Sequence, residues 1–175
     1  MVDRLQAARE GNPEALEWAR ERYLGGARRW VRARLPKYLH HTFDIEPCIA
    51  DAFTKALEHL DSLDTNEGAF QLSLRDQLQT GIRALHSERV GDETVTIGEI
   101  QSPLEGVIGL ESCRRYESAL KSVSDSDREA IVGRIEFGFD YRELAEMLGK
   151  PTPEAARAAI AEAVSRLVEV MCHER

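Results

Sequence analysis

Apolar residues recur every three or four positions through most of the chain, a spacing that predicts one amphipathic helix after another. Val2 to Glu10 reads as a short helix stopped by Gly11. Asn12 then caps a second helix, with Pro13 at its first position, where the missing N–H costs nothing. Leu16, Ala19, Tyr23, Ala27, Trp30 and Val31 fall on one face of it. Gly25 and Gly26 weaken this helix by about 2 kcal/mol against alanine and mark an expected bend. Pro36 closes it. Asp44 caps a third helix with Pro47 in its first turn, and Ile49, Phe53, Leu57 and Leu60 form its inward line. After a polar loop from Asp61 to Asn66, a fourth helix carries Phe70, Leu74, Leu78, Ile82 and Leu85. Arg75, Arg83, His86 and Arg89 are expected on its remaining surface.

The pattern changes from Val90 to Ser102. Gly91 and Gly98 flank the alternating run Thr94-Val95-Thr96-Ile97, and the stretch ends at Ser102-Pro103. A short strand there has no partner elsewhere in the chain, so the segment reads as a linker. Ser102 caps a fifth helix whose apolar line is Leu104, Val107, Ile108, Tyr116 and Leu120. Ser124 caps a sixth, with Ile131 and Ile135 expected inside. Phe137-Gly138-Phe139 leads to the last pair of helices. There Asp140 is the N-cap, Leu144, Met147 and Leu148 are the apolar positions, and Gly149 is the stop. Lys150, Pro151 and Thr152 make the turn, and Pro153 opens the final helix. Ala145 leaves room for close crossing. Two helices around a tight glycine-containing turn carry the helix-turn-helix signature, with an ordinary helical hairpin as the alternative reading of this stretch. The expected fold is all-α: two small helical domains, residues 1–89 and 103–175, joined by a linker over residues 90–102.

Composition narrows the possibilities. Hydrophobic residues make up 42% of the 175 and charged ones 31%, which suits a folded chain, and aromatics at 6% suit small helical units. The net charge is −8, so any nucleic-acid contact must come from a local patch or from a partner that supplies most of the affinity. Met1 leads straight into charged residues, and no apolar run is long enough to cross a membrane, so neither a signal peptide nor membrane attachment is expected. Cys48, Cys113 and Cys172 are odd in number, widely separated and without metal-ligand spacing, which points to a reducing cytoplasm.

Few residues suggest chemistry. Arg28, Arg29, Arg32, Arg34 and Lys37 surround Trp30, a run that is more often a solvated face than a phosphate-binding stripe. His40 and His41 lie near Asp44 and Glu46, but neighbouring residues on a helix do not face one point. No glycine-rich phosphate loop, nucleophile elbow or zinc ligand set is present. An enzyme, a cofactor and a metal are therefore not expected.

The order of parts resembles the bacterial RNA polymerase sigma factors, specifically the small extracytoplasmic-function group of the sigma-70 family. Two segments carry the likeness. Asp44-Ile-Glu-Pro-Cys-Ile-Ala-Asp-Ala-Phe-Thr-Lys-Ala-Leu, followed by His59-Leu-Asp-Ser-Leu-Asp, is similar to the family's core-binding helix. Ala119-Leu-Lys-Ser-Val-Ser-Asp-Ser-Asp-Arg-Glu-Ala-Ile, with the hairpin after it, is similar to its promoter-reading domain. The resemblance runs from about Leu5 to Leu167 and implies a transcription initiation factor. Its implied partners are core RNA polymerase, promoter DNA and an anti-sigma factor. Asp44, Glu46, Asp51 and Glu58 would meet polymerase. The loop from Asp61 to Gly68 and the helix after it, with Arg83 and Arg89, would engage the melted promoter element. The helix from Pro153 would enter a major groove, with Arg157 as the leading base or phosphate contact and Arg142, Lys150 and Thr152 at its flank.

The final helix departs from the family pattern. It is rich in alanine, and from Pro153 to Val170 only Arg157 and Arg166 stand against Glu154, Glu162 and Glu169. From Ser122 to Val170 six basic residues face ten acidic ones, an unfavourable start for phosphate binding. A sigma-like regulatory protein that binds polymerase or a partner without reading DNA is therefore the alternative. An ordinary helix-turn-helix repressor fits less well, because the N-terminal helices resemble a core-binding module and not a ligand pocket.

Overall fold

A computed structural model describes residues 4–60, 67–90 and 102–173, without the side chains of residues 87–90. The loop at 61–66, residues 91–101 of the linker, residues 1–3 and the side chain of Arg89 lie outside the described residues. Every regular element within them is helical, so the all-α expectation holds.

The first helices follow the sequence pattern closely. Helix α1 spans Arg4–Arg9 and α2 spans Pro13–Arg34, with the Asn12 side chain accepting bonds from the Glu14 and Ala15 N–H groups. A short 3₁₀ turn at Lys37–Leu39 leads to α3 (Glu46–Glu58) and then α4 (Glu67–Val90). Tyr23 and Phe70 meet edge-on at 4.7 Å, and Phe53 and Tyr23 extend this aromatic cluster to Phe70 and Phe139. Helix α2 continues through Gly25 and Gly26 without a break in the helix. Gly26 serves close approach: a Cβ there would lie 2.8 Å from the Phe137 carbonyl oxygen.

The second half is less regular than its sequence suggests. The expected fifth helix is two helices, α5 (Pro103–Ile108) and α6 (Leu110–Ser122), separated by Gly109 at φ +82°. That break turns Val107 outward, leaving it 83% exposed, so it is not part of an apolar line. Helix α7 (Asp125–Ile131) passes into one wide π turn, Val132–Phe137, before α8 (Tyr141–Met147) and α9 (Pro153–His173). The π turn also corrects the expectation for Ile135. An i→i+5 repeat places the fifth residue, not the fourth, on the same side. Glu136, five residues after Ile131, therefore points inward and Ile135 is 54% exposed.

The halves are packed together. One continuous apolar cluster extends from Leu5 to Leu167, with α2 and α4 against α7 and the π turn. Helix α9 closes the far side, resting on α7 and α8.

Candidate functional site

Helix α3 presents the acidic face read from the sequence. Ile49, Phe53 and Leu57 are buried, and Asp44, Glu46, Asp51 and Glu58 are exposed. Asp44 accepts a 3.1 Å bond from the Glu46 N–H, and the helix begins at Glu46. Arg28 of α2 grips the Glu46 carboxylate through two bonds of 2.8 and 2.9 Å, which hold that carboxyl below its usual range. Lys55 donates to Asp51 at 2.7 Å across one turn. Glu58 has no hydrogen bond or ion pair among the described residues. The ridge is acidic and open to a partner, with two of its carboxylates already met by cations.

The α8–α9 hairpin is built by local chemistry. Asp140 accepts the Arg142 and Glu143 N–H groups at 2.8 and 2.9 Å, and the Glu143 carboxylate in turn accepts the Asp140 N–H. Those amides keep the Asp140 carboxyl below its usual range. Gly149 takes φ +61°, which lets the Lys150 N–H reach back to the Ala145 carbonyl at 2.8 Å. The Thr152 hydroxyl accepts the Ala155 N–H at 3.2 Å and so caps α9. Ala156, Ile160, Ala163 and Leu167 then face the core. Small side chains at two of these four positions keep α9 close to its neighbours.

Arg142, Lys150, Thr152 and Arg157 all reach solvent, and Arg157 has no hydrogen bond or ion pair among the described residues. Arg166, the other cation of α9 named from the sequence, is held by Asp127 of α7 at 2.6 and 2.8 Å. Arg83 is exposed on α4 but belongs elsewhere. It lines an open cleft of about 840 Å³ between α2, α4, α5 and α6, together with Ile108, Leu110 and Ile135. Arg83 and the hairpin residues are therefore not one contiguous site.

Arg75 is the clearest correction among the α4 residues. Placed on the surface by its spacing, it is 5% exposed. Its guanidinium reaches Glu136 at 2.8 Å and Glu117 at 2.7 Å. The same Glu136 carboxylate accepts the Tyr116 hydroxyl at 2.7 Å and the Trp30 indole N–H, with Arg34 at 3.4 Å. Arg34 also covers the Trp30 ring at 4.3 Å. Burial pushes the Glu136 carboxyl upward. The charges of Arg75 and Arg34, with the bonds from Arg75 and Tyr116, outweigh that and leave it below its usual range. Burial and the nearby carboxylate together push the Tyr116 phenol far upward.

This buried node joins α2 and α4 to α6 and the π turn. Helical periodicity hides it, because Glu136 becomes an inward position only in the π register. A glutamate between Ile131-Val132 and Phe137, five residues after Ile131, is the one local signal. The basic run around Trp30 is likewise divided. Arg29 donates to the Phe137 carbonyl at 2.5 Å, Arg28 and Arg34 are paired as above, and Arg32 and Lys37 are exposed.

No cluster of three or more His, Cys, Asp or Glu that could hold a metal ion occurs among the described residues. His40 lies 2.9 Å from the Leu35 carbonyl, and the three cysteines are free thiols. No described helix is long and apolar enough to cross a membrane. Compared with models of known protein families, with curated proteins and with solved structures, the chain matches none.

Proposed function

We propose that the chain is a sigma-type transcription initiation factor, which docks on core RNA polymerase and directs it to promoters without catalysing a reaction itself. The observation that carries this is the α8–α9 hairpin. Its capped helices leave Arg142 at the start of α8, Lys150 and Thr152 in the turn and Arg157 in the second turn of α9 all exposed, and Arg157 has no hydrogen bond or ion pair among the described residues to release before meeting a base or phosphate. On this proposal the hairpin is a helix-turn-helix and α9 its recognition helix. The acidic ridge of α3 is the polymerase-docking face, with Asp44, Glu46, Asp51 and Glu58 as its charges. Arg83 and Arg89 serve the melted element, and the working compartment is the cytoplasm. The N-terminal and C-terminal helices act as separate functional units, one per partner, and an anti-sigma factor is a further partner.

The first test is capture of core polymerase by the full chain. Replacing both Asp51 and Glu58 by lysine should weaken capture by tenfold or more, on the order of the 1.4 kcal/mol that corresponds to that factor. Both side chains are exposed, so the fold should survive, as circular dichroism would show. Undiminished capture by the folded double variant would count against the docking face.

One observation favours a second reading, in which the chain occupies polymerase or another partner without reading DNA. Asp127 neutralises Arg166, leaving α9 with little free positive charge. Under that reading Arg157→Ala leaves promoter selection unaffected, because there is none to lose.

A further inference from the structure

The cleft between α2, α4, α5 and α6 collects apolar side chains that the core leaves out. Five large apolar side chains are exposed among the described residues, and three of them, Ile108, Leu110 and Ile135, line this one cleft. Two backbone irregularities put them there. Gly109 at φ +82° ends α5 and starts α6, with Ile108 and Leu110 on either side of it. The π turn leaves Ile135 outside the core. Ile82 and Leu104 add to the same lining.

Charge in the cleft runs against the chain as a whole. The sequence carries 31 acidic residues against 23 lysines and arginines, yet five lysines and arginines and three glutamates line the cleft. All three glutamates are engaged. Glu105 accepts the Ser102 N–H at 2.8 Å, Glu117 accepts Arg75 at 2.7 Å, and Glu136 belongs to the buried node. Arg29 and Arg34 are engaged too. Arg83, Arg114 and Lys121 are exposed and have no side-chain hydrogen bond or ion pair among the described residues. Arg114 and Lys121 lie on one face of α6, two turns apart, and Arg83 lines the cleft from α4. An aliphatic lining beside unmet cations is complementary to a molecule with an apolar body and an anionic end.

We propose that this cleft binds one long-chain acyl anion, of which a fatty carboxylate is the simplest. Its chain lies against Ile82, Leu104, Ile108, Leu110 and Ile135, and Arg114 and Lys121 meet its carboxylate. The volume of about 840 Å³ is of the size usual for ligand pockets, about 300–1,000 Å³. Burying the chain takes exposed apolar surface out of water, and the two cations supply charge-assisted hydrogen bonds. A nucleic-acid strand would meet the cations but leave the aliphatic lining in water, so it fits less well. Arg83, assigned above to the melted promoter element, stays unaltered in the test. No readout involves polymerase, so this site and the function proposed above stand or fall separately.

The test is calorimetric titration of the full-length chain with laurate, kept below its micelle-forming concentration. One laurate per chain should bind saturably. Decanoate, two methylenes shorter, should bind at least fourfold more weakly, since full burial of each methylene is worth a factor of about four. Decanol, which has the decanoate chain without its charge, should bind about tenfold more weakly than decanoate. Arg114→Gln with Lys121→Gln should weaken laurate about tenfold and leave decanol unchanged. Ile108→Asn with Ile135→Asn should weaken both ligands about tenfold. All four positions are exposed, so circular dichroism should show unchanged helix content in both double variants. The absence of saturable binding overturns the site. So does binding that ignores the head-group charge, or laurate affinity unchanged in both double variants. Helix content that falls as laurate is added would mean detergent action and overturns it as well. Solution mass on the same samples covers another occupant: a dimer that Ile108→Asn with Ile135→Asn dissociates would give the cleft to a second copy and overturn the proposal.

Discussion

The acids of α3 and the single acid of the π turn have the same chemistry in opposite settings. Asp51 and Glu58 stand in water, where a neighbouring lysine or none at all makes little difference to the fold. Glu136 is 9% exposed and carries two arginines, an indole and a phenol. The exposed set is available to a partner and structurally cheap to change. The buried one is structurally expensive to change and unavailable to a partner. Position along the helix repeat, and not residue type, separates a binding face from a joint.

Removing the buried acid should have the largest effect. Glu136→Ala leaves Arg75 without its main counter-charge and should cost about 3–5 kcal/mol, read as a fall in the urea midpoint of the full chain. Asp51→Ala measured beside it should change stability by less than about 0.5 kcal/mol. Similar losses at both sites would erase the contrast.

Gly25 and Gly26 sharpen the same division between open surface and joint. A Cβ on Gly25 meets only the Arg29 guanidinium, at 3.8 Å, whereas one on Gly26 strikes the Phe137 backbone. Gly26→Ala should therefore destabilise by about 1–3 kcal/mol through overpacking. Gly25→Ala should stabilise by up to about 1 kcal/mol through helix propensity. Adjacent glycines should thus shift the thermal midpoint in opposite directions, and a gain at both would mean that α2 does not press on Phe137.

Acid should produce the gentlest change. The folded Glu136 carboxyl titrates below its ordinary range, so it takes up its proton more readily in the unfolded chain. Its contribution is present in full above the ordinary glutamate value, about 4.3, and is lost as pH falls through the folded value. Arg75 and Tyr116, which bond to it, keep their protons across that window, and Arg34 and Trp30 also face it. The stability gap between the native chain and Glu136→Gln should be flat from pH 7 to about 5 and then narrow. A gap that widens on acidification would contradict the sign of the shift.

Most of the helices were legible because each buries one face. Tyr23, Ala27, Trp30 and Val31 in α2, and Leu144 and Met147 in α8, are buried as their spacing predicts. The caps at Asn12, Ser102, Ser124 and Asp140 were legible for a separate reason: short polar side chains there satisfy free amides. The interface was not. Arg75 lies one position beyond Leu74, where an α4 that packed on its own side alone would face water. The second half supplies the buried acids that make an inward arginine affordable, and no local pattern reports a partner brought from sixty residues away. The hairpin residues fall in between. Their exposure follows from the turn, while the tying of Arg166 to Asp127 depends on how α9 lies across α7.

Run-off transcription with purified core polymerase, the full-length chain and genomic fragments tests the proposed function most directly. The account predicts discrete transcripts from a small subset of fragments, absent with core polymerase alone. Arg157→Ala should reduce them by roughly tenfold or more, the effect of losing a base contact worth about 1–3 kcal/mol. No transcript above the core background from a folded chain that captures polymerase, or an unchanged pattern with Arg157→Ala, would contradict promoter reading by this hairpin.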